Sequence, residues 1–201
     1  MIVSAKLLQV ERVSIQRGDR ALLQHVNLSV QAGECYQLIG ANGLGKTSML
    51  RVLAGLAEPE AGQINIDDFV YISHKQALKY SLTVMEHCRF HPYLQQIEAN
   101  KLQQALHEFG LKKYTESTID KLSQGQKQRL HLLPLLCLDK KLWLLDEPFS
   151  GLDVNSIAFL EQKIDQHLLQ HGAVLLTSHQ SVKLQSRLQA IDLAQYSAEV
   201  V

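Results

Sequence analysis

The chain has 201 residues, which is enough for one large domain with a substantial hydrophobic core. Lys and Arg together number 20, as do Asp and Glu, and 46% of the residues are apolar, so the composition excludes intrinsic disorder and argues against a basic protein that coats nucleic acid. The three cysteines are widely spaced and do not indicate a disulfide framework. The sequence contains no run of 18 apolar residues, so it does not predict a membrane span.

The first third of the chain is predicted to be rich in strands. Alternating or continuous apolar stretches predict strands at residues 8–15, 22–30, 34–39 and 69–73. Arg17-Gly18-Asp19 is a turn signal between the first two. Apolar residues at helical spacing predict a helix over residues 48–56.

The middle of the chain is predicted to be helical. Residues 83–110 have helical spacing, with a break at Pro92 and a C-terminal cap at Gly110. A second helix is predicted from Ser123. Pro134 cannot donate a backbone hydrogen bond, so this helix is expected to kink there or to end near Leu132.

The last third returns to strands that flank one long helix. Continuous apolar stretches predict strands at residues 141–145, 173–177 and near Ile191, and a helix over 154–170. Buried strands alternating with helices predict an α/β fold with a mostly parallel sheet. We expect residues 1–201 to form one domain, with 1–75 and 138–201 as the sheet core and 76–137 as a helical subdomain.

A phosphate-binding loop follows the third predicted strand. The pattern G-x-x-x-x-G-K-[ST] is matched by Gly40-Ala41-Asn42-Gly43-Leu44-Gly45-Lys46-Thr47, and Ser48 opens the helix. Glycines allow backbone N–H groups to surround phosphate oxygens, and the positive end of the helix faces the same anion. Lys46 is expected to contact the β- and γ-phosphates, and the Thr47 hydroxyl to bind Mg²⁺.

Two carboxylates end the apolar strand that contains Trp143. Asp146 is expected beside the phosphate loop, where it can hold Mg²⁺ through water. Glu147 follows directly and can accept a proton from the attacking water as general base. The sequence therefore predicts nucleotide hydrolysis at this edge of the sheet.

Three further motifs give the chain a resemblance to a known family. Leu122-Ser123-Gln124-Gly125-Gln126 precedes the acidic strand, Ser150-Gly151-Leu152-Asp153 follows it, and His179 comes just after the next buried strand. With these motifs the chain resembles the ATP-binding subunits of ABC transporters over essentially its whole length. The resemblance implies the P-loop NTPase fold of an ABC-type ATP-binding domain, with a small N-terminal antiparallel part.

The resemblance assigns roles to these residues. It implies that Ser123, Gln124, Gly125 and Gln126 form the signature that covers the γ-phosphate bound by a second subunit. Gln124 stands where the family usually has glycine. The resemblance also makes Glu147 and His179 the catalytic pair, with His179 touching the γ-phosphate.

Two departures narrow the resemblance. His74 takes the place of the usual Q-loop glutamine, with Gln76 two residues away, and Arg17 takes the place of an aromatic residue that stacks on adenine. A guanidinium plane can also stack on a base. Together with the short length and the stretches Asp146-Glu147-Pro148-Phe149 and Ser178-His179-Gln180, these features resemble the CcmA family of haem-exporter ATP-binding proteins of cytochrome c biogenesis.

This narrower resemblance implies ligands and partners. ATP is the expected nucleotide, with Mg²⁺ held by Thr47, Asp146 and His74. The resemblance implies a CcmB-type transmembrane subunit in a complex of two plus two chains, and a homodimer that forms on ATP binding. It also implies a peripheral place on the cytoplasmic face of the bacterial inner membrane. Neither nucleic acid nor direct haem binding is expected. The alternatives are a subunit of another small ABC exporter and a non-catalytic nucleotide-sensing clamp.

Two expectations concern the helical stretch. His87 and His91 are four residues apart, but without a third ligand nearby we expect them to be surface histidines. Residues 74–90 are expected to form the docking edge for the membrane subunit. Leu82, Val84 and Met85 are expected to be its exposed apolar residues.

Overall fold

The computed structural model describes residues 5–66 and 68–198. Its strands are β1 Lys6–Arg17, β2 Arg20–Gln31, β3 Cys35–Ile39, β4 Ala61–Ile66, β5 Phe69–Ile72, β6 Leu142–Asp146, β7 Ala173–Thr177 and β8 Leu188–Asp192. Its α-helices are α1 Lys46–Leu53, α2 Val84–Phe90, α3 Ala99–Glu108, α4 Gln124–His131, α5 Pro134–Cys137 and α6 Val154–Leu169. Short 3-10 helices cover Lys112–Tyr114, Ile119–Lys121 and Leu193–Tyr196. None of these described helices is long and apolar enough to cross a membrane.

The first sheet is antiparallel and has three strands in the order β2-β1-β4. β1 and β2 form the predicted hairpin, and Gly18 takes the left-handed backbone of its turn at φ 59°. β4 was not predicted from the sequence. Its residues are exposed or half-buried, and the apolar alternation is limited to Ile64 and Ile66. This pattern is too short to identify a strand without the pairing with β1.

The second sheet is parallel and positions the candidate site. Its five strands lie in the order β5-β6-β7-β3-β8. Every residue of β6 and β7 is buried, as expected for central strands covered on both faces. Since the strands are parallel, the segments that follow β3, β6 and β7 meet at the same edge. The α/β class with a mostly parallel sheet and a small antiparallel part is confirmed.

The described residues cluster into two compact units. The first contains both sheets and takes its described residues from Met1–His74, Lys140–Pro148 and Glu161–Val201. One apolar core joins the inward residues of β1 and β2 with α1 and the central strands. The second unit comprises Lys75–Asp139 and Phe149–Leu160 and is helical. The organisation of the whole chain as one ATP-binding domain stays a prediction.

Local signals in the helical unit fix where its helices begin and end. Thr83 and Ser123 each form a capping box with the residue three positions on, Glu86 and Gln126. Gly110 has the left-handed backbone, φ 65°, that follows a helix end. The helix that carries the signature was predicted to kink at Pro134 or to end before it. The structure confirms the early end, because α4 ends at His131 and α5 starts at Pro134.

The exposed apolar residues of this unit differ from those expected. Val84 is fully buried at the start of α2, and Leu82 and Met85 are half-buried, so the expectation that Val84 is exposed was wrong. Val84 is the first residue of the helix, and its side chain is buried. Aromatic residues are exposed instead, with Phe90 at 66% and Tyr80 at 50% exposure.

His87 is buried, so the expectation of a surface histidine was wrong. Only 5% of its surface is exposed, and its ring packs edge-on against that of His91, with ring centroids 5.4 Å apart. Burial, followed by the neighbouring His91, His131 and Lys79, lowers the pKa of His87 to about 4. In the described residues, no three or more His, Cys, Asp or Glu side chains are grouped so that they could hold a metal ion. His87 is therefore a neutral core residue.

This burial predicts a loss of stability in mild acid. Between pH 6.5 and about 4 the unfolded chain binds a proton at His87 that the folded chain does not bind. The free energy of unfolding should therefore fall as the pH is lowered through this window. Urea unfolding of wild type and His87→Gln between pH 7.5 and 4.5 measures it, and the variant should show a weaker pH dependence. Exposed His107 provides the control His107→Gln, and equal slopes in all three proteins would contradict the prediction.

Candidate active site

The phosphate loop connects β3 to α1 at the carboxyl edge of the parallel sheet. Gly45 precedes α1 with a φ of 117°, which only glycine adopts readily, and a Cβ there would lie 3.3 Å from Leu23. Lys46 is the first helical residue. Its Nζ donates to the carbonyl of Gly40 at 2.7 Å and of Ala41 at 3.2 Å, which holds the ammonium across the mouth of the loop.

A cleft of about 500 Å³ lies beside this loop. Eleven of the residues that line this cleft were predicted from the sequence to belong to the site. They are Arg17, Asn42, Gly43, Gly45, Lys46, Thr47, Ser48, His74, Asp146, Glu147 and His179. Three lining residues were not predicted, namely Arg20, Leu22 and Thr177. Of the remaining loop residues, Gly40 and Ala41 bind Lys46 through their carbonyls, and Leu44 packs against the core.

Asp146 is buried at the end of β6 and is held by two hydroxyl groups. Thr47 Oγ1 donates to Asp146 Oδ1 at 3.1 Å, and Thr177 Oγ1 donates to the same oxygen at 2.8 Å. The other oxygen, Oδ2, is buried without a hydrogen-bond partner among the described residues. Burial, with a contribution from the charge of Asp146, raises the pKa of Tyr71 to about 12, so this phenol stays protonated near the carboxylate.

These oxygens fit a magnesium ion. Mg²⁺ prefers one or two carboxylates together with hydroxyl, water and phosphate oxygens. The unpaired Oδ2 of Asp146 is a buried oxygen that lacks a partner, and the Thr47 hydroxyl lies next to the same carboxylate. His74 lines the same cleft. The donor set therefore suits the predicted ion.

Glu147 has a strained backbone and is fixed at both ends. Its φ of 54° is left-handed, which costs a non-glycine residue of order 1–3 kcal/mol. The Glu147 N–H donates to Thr177 Oγ1 at 3.0 Å, and Glu147 Oε2 accepts the N–H of His179 at 3.1 Å. The His179 ring lies with Nε2 3.6 Å from Oε1 of Glu147. The pair of Glu147 and His179 is thus brought together at the cleft.

Thr177 is one of the three cleft residues that the sequence reasoning missed. It ends β7 in register with Asp146 and contacts both acidic residues. The sequence did contain a signal for Thr177: it is a polar residue at the end of an otherwise apolar strand, two positions before His179. Arg20 and Leu22 were missed because they lie in a hairpin without a motif of its own.

The signature residues lie in the second compact unit. Ser123 caps α4 and exchanges hydrogen bonds with Gln126, at 2.8 Å and 3.3 Å. Ser123 and Gln124 are exposed, whereas Gly125 and Gln126 are half-buried. Gly125 lies against the segment at 150–153, and a Cβ on it would be 3.4 Å from the carbonyl oxygen of Gly151, an ordinary van der Waals distance.

Gln76, the glutamine two residues after the Q-loop position at His74, belongs to the second unit. Gln76 Nε2 donates to Gln128 Oε1 at 2.6 Å. Gln76 is thus bonded to α4, while His74 lines the cleft of the first unit.

Comparisons with known proteins identify the family of the chain. Residues 23–150 match the family model described as ABC transporter. The cytochrome c biogenesis ATP-binding export protein CcmA of Idiomarina loihiensis is 36% identical over 90% of this chain and 89% of its own. CcmA of Haemophilus influenzae is also 36% identical, over 96% and 97%.

The fold is similarly matched by a solved structure. The ATP-binding subunit of an ABC transporter superposes with a TM-score of 0.77 at 29% identity, over 86% of this chain and 79% of that chain. The family, the fold and the motifs describe a nucleotide-binding ATPase linked to transport. The chain belongs to the ABC transporter family of ATP-binding subunits, and within it to the group that contains the CcmA proteins of cytochrome c biogenesis.

Proposed function

We propose that the chain hydrolyses Mg²⁺-ATP in the described cleft and drives a CcmB-type membrane subunit in cytochrome c biogenesis. The observation that carries the proposal is the fixed Glu147 carboxylate, which His179 contacts beside the phosphate loop. A sensor that only closes on nucleotide has no use for a positioned base. The geometry therefore favours an enzyme over the non-catalytic clamp.

Binding of ATP uses the backbone and the charges of the loop. The N–H groups of residues 40–48 surround the phosphates, and the Lys46 ammonium exchanges its carbonyl partners for phosphate oxygens. Arg17 and Arg20, with the apolar side chain of Leu22, form the part of the cleft wall that suits a base. Their guanidinium planes take the place of the usual aromatic residue.

Hydrolysis uses the edge formed by β6 and β7. Thr47, Asp146 and His74 would hold Mg²⁺, which neutralises charge on the phosphates. Glu147 accepts a proton from the water that attacks the γ-phosphorus, while the bond from that phosphorus to the bridging oxygen of ADP breaks. His179 contacts the γ-phosphate and keeps the Glu147 carboxylate in place.

A second copy of the chain completes the site in this proposal. Ser123 and Gln124 are exposed at the start of α4, where a partner's nucleotide can be reached. The hydroxyl of Ser123 and the first N–H groups of α4 present donors to an anion. The proposed state is a homodimer that closes on two ATP molecules, with Gln124 altering the rate without preventing closure.

The membrane partner is proposed to dock on the helical unit. Tyr80, Phe90 and Tyr93 expose 50%, 66% and 39% of their surfaces within and just after residues 74–90. Exposed aromatic residues so close in sequence are typical of contact surfaces. Two copies of each subunit, with this chain on the cytoplasmic face of the inner membrane, form the proposed complex. Haem is not proposed as a ligand of this chain.

Cross-linking tests this partner directly. The three native cysteines are buried, so Ser81→Cys introduces an exposed thiol beside Tyr80. Tagged Ser81→Cys, cross-linked in membranes and purified in detergent, should carry one membrane protein, identified by mass spectrometry as a CcmB-type subunit. Gln170→Cys, at an exposed position after α6, is the control and should not. Absence of a membrane protein at every position from 79 to 86 would contradict the docking surface. A different transporter subunit would support the alternative of another small exporter.

A further inference from the structure

The hydroxyl of Thr177 joins the two acidic residues of the candidate active site. Thr177 is 1% exposed and pairs in register with Asp146. Its Oγ1 donates to Asp146 Oδ1 at 2.8 Å and accepts from the N–H of Glu147 at 3.0 Å. One buried side chain therefore contacts both residues to which the hydrolytic chemistry is assigned.

These two hydrogen bonds leave the hydroxyl one orientation. A threonine hydroxyl has one proton to donate and lone pairs that accept. A carboxylate accepts and a backbone N–H donates, so the proton points to Asp146 and a lone pair to Glu147. Loss of the hydroxyl would remove both bonds together, and no rotation of another group of Thr177 could replace them.

The bond to Glu147 bears on the direction of the general base. Glu147 has a left-handed backbone that non-glycine residues rarely adopt. Its N–H bond to Thr177 holds that peptide in place. The Glu147 side chain is attached to this backbone. Loss of the hydrogen bond at the Glu147 N–H would therefore shift its carboxylate in the cleft.

The bond to Asp146 decides which carboxylate oxygen is free. Thr177 and Thr47 both donate to Oδ1, while Oδ2 is buried without a partner among the described residues. Two donors on one oxygen fix the rotation of the carboxylate. The Thr47 hydroxyl would bind an ion through its oxygen and keep its proton, so both hydroxyls can continue to donate to Oδ1 and leave Oδ2 available.

We propose that Thr177 is a positioning residue for ATP hydrolysis, holding Asp146 with Oδ2 available to magnesium and Glu147 in the conformation that presents its carboxylate to water. The inference rests on the proposed function of this site and adds a residue that acts through its two neighbours. Groups that orient metal ligands commonly contribute on the order of 10- to 100-fold in metal affinity or activity.

Three variants of the full-length chain test this role. Thr177→Val keeps the β-branched shape and removes the hydroxyl, and Thr177→Ser restores the hydroxyl. Ser178→Ala is the control, because that neighbouring hydroxyl bonds to the backbone of Gln180. The readouts are kcat and KM for ATP, the Mg²⁺ concentration that gives half-maximal binding of a non-hydrolysable fluorescent ATP analogue, and the thermal unfolding midpoint.

Thr177→Val should lower kcat by roughly 10- to 100-fold and raise the Mg²⁺ midpoint by a similar factor, with KM changed much less. Thr177→Ser and Ser178→Ala should stay close to wild type. Wild-type values in Thr177→Val, or equal losses in Thr177→Ser, would overturn the inference. If Thr177→Val does not fold, Thr177→Ala removes the same hydroxyl and takes its place.

The outcomes separate this inference from the proposed function. If the wild type hydrolyses ATP and Glu147→Gln does not, the function stands, and Thr177→Val alone decides the positioning role. If the wild type does not hydrolyse ATP, the proposed function fails, and the Mg²⁺ midpoint still decides whether Thr177 orients Asp146.

Discussion

Glu147→Gln is expected to lower the rate of ATP hydrolysis by roughly 10²- to 10⁴-fold, which is what loss of a positioned general base commonly costs. The amide keeps the shape of the side chain and can accept the His179 N–H through its oxygen, but it cannot take up the proton of the attacking water. Binding of ATP should survive, because Lys46 and Thr47 are unchanged. Phosphate release measured at saturating ATP tests the prediction.

With binding intact and cleavage blocked, ATP should hold two subunits of this variant together. Size-exclusion chromatography should show an ATP-dependent shift from monomer to dimer that is stronger than in the wild type. The same chromatography without Mg²⁺ separates ATP-dependent dimer formation from ATP hydrolysis. Ser123→Ala added to Glu147→Gln is the matched control, since it removes the hydroxyl proposed to reach the partner's nucleotide. Near-normal hydrolysis by Glu147→Gln would exclude this base and move the role to His179.

Lys46→Ala is expected to abolish tight ATP binding. The Lys46 ammonium is held across the phosphate loop by two carbonyl groups, so it is already placed for the anion. Removing one partner of a close charge pair commonly costs about 2–5 kcal/mol, or roughly 30-fold to several thousandfold in affinity.

Equilibrium titration with a fluorescent ATP analogue measures this loss. Lys112→Ala removes an exposed lysine of the helical unit and should bind like the wild type. Circular dichroism of both variants verifies that the fold is retained. Unchanged affinity in Lys46→Ala would disprove the assignment of the site.

The sequence predicted those parts of the fold that have a periodic or punctuated signal. β7 is the predicted strand at residues 173–177, and the phosphate loop was identified because its chemistry requires particular residues at a particular spacing. β4 was not predicted, because its apolar alternation covers only Ile64 and Ile66, which is shorter than the pattern that identifies a strand. α1 ends at Leu53 rather than near residue 56, because Gly55 takes a left-handed backbone.

The candidate site could be predicted in its motifs but not in its supporting contacts. Glu147 and His179 were predicted to act together, and the structure brings them within hydrogen-bonding distance. Thr177 was missed because its role depends on the register between β6 and β7, which no local pattern encodes. The burial of His87 was missed for a similar reason, since helical spacing does not say which polar residue faces the core.

The position of β3 in the parallel sheet has a consequence for how the chain folds during synthesis. Both neighbours of β3, namely β7 and β8, come from beyond residue 172, so the strand that carries the phosphate loop finds its partners only after residues 173–192 have been synthesised. At about 5–20 residues per second, this leaves Cys35–Ile39 unpaired for roughly 7–30 s after it is made. The β1–β2 hairpin can form early, because its contacts are local. A ribosome-bound chain that stops before β7 should therefore contain the hairpin but no nucleotide site, and its apolar β3 would depend on chaperones to avoid aggregation.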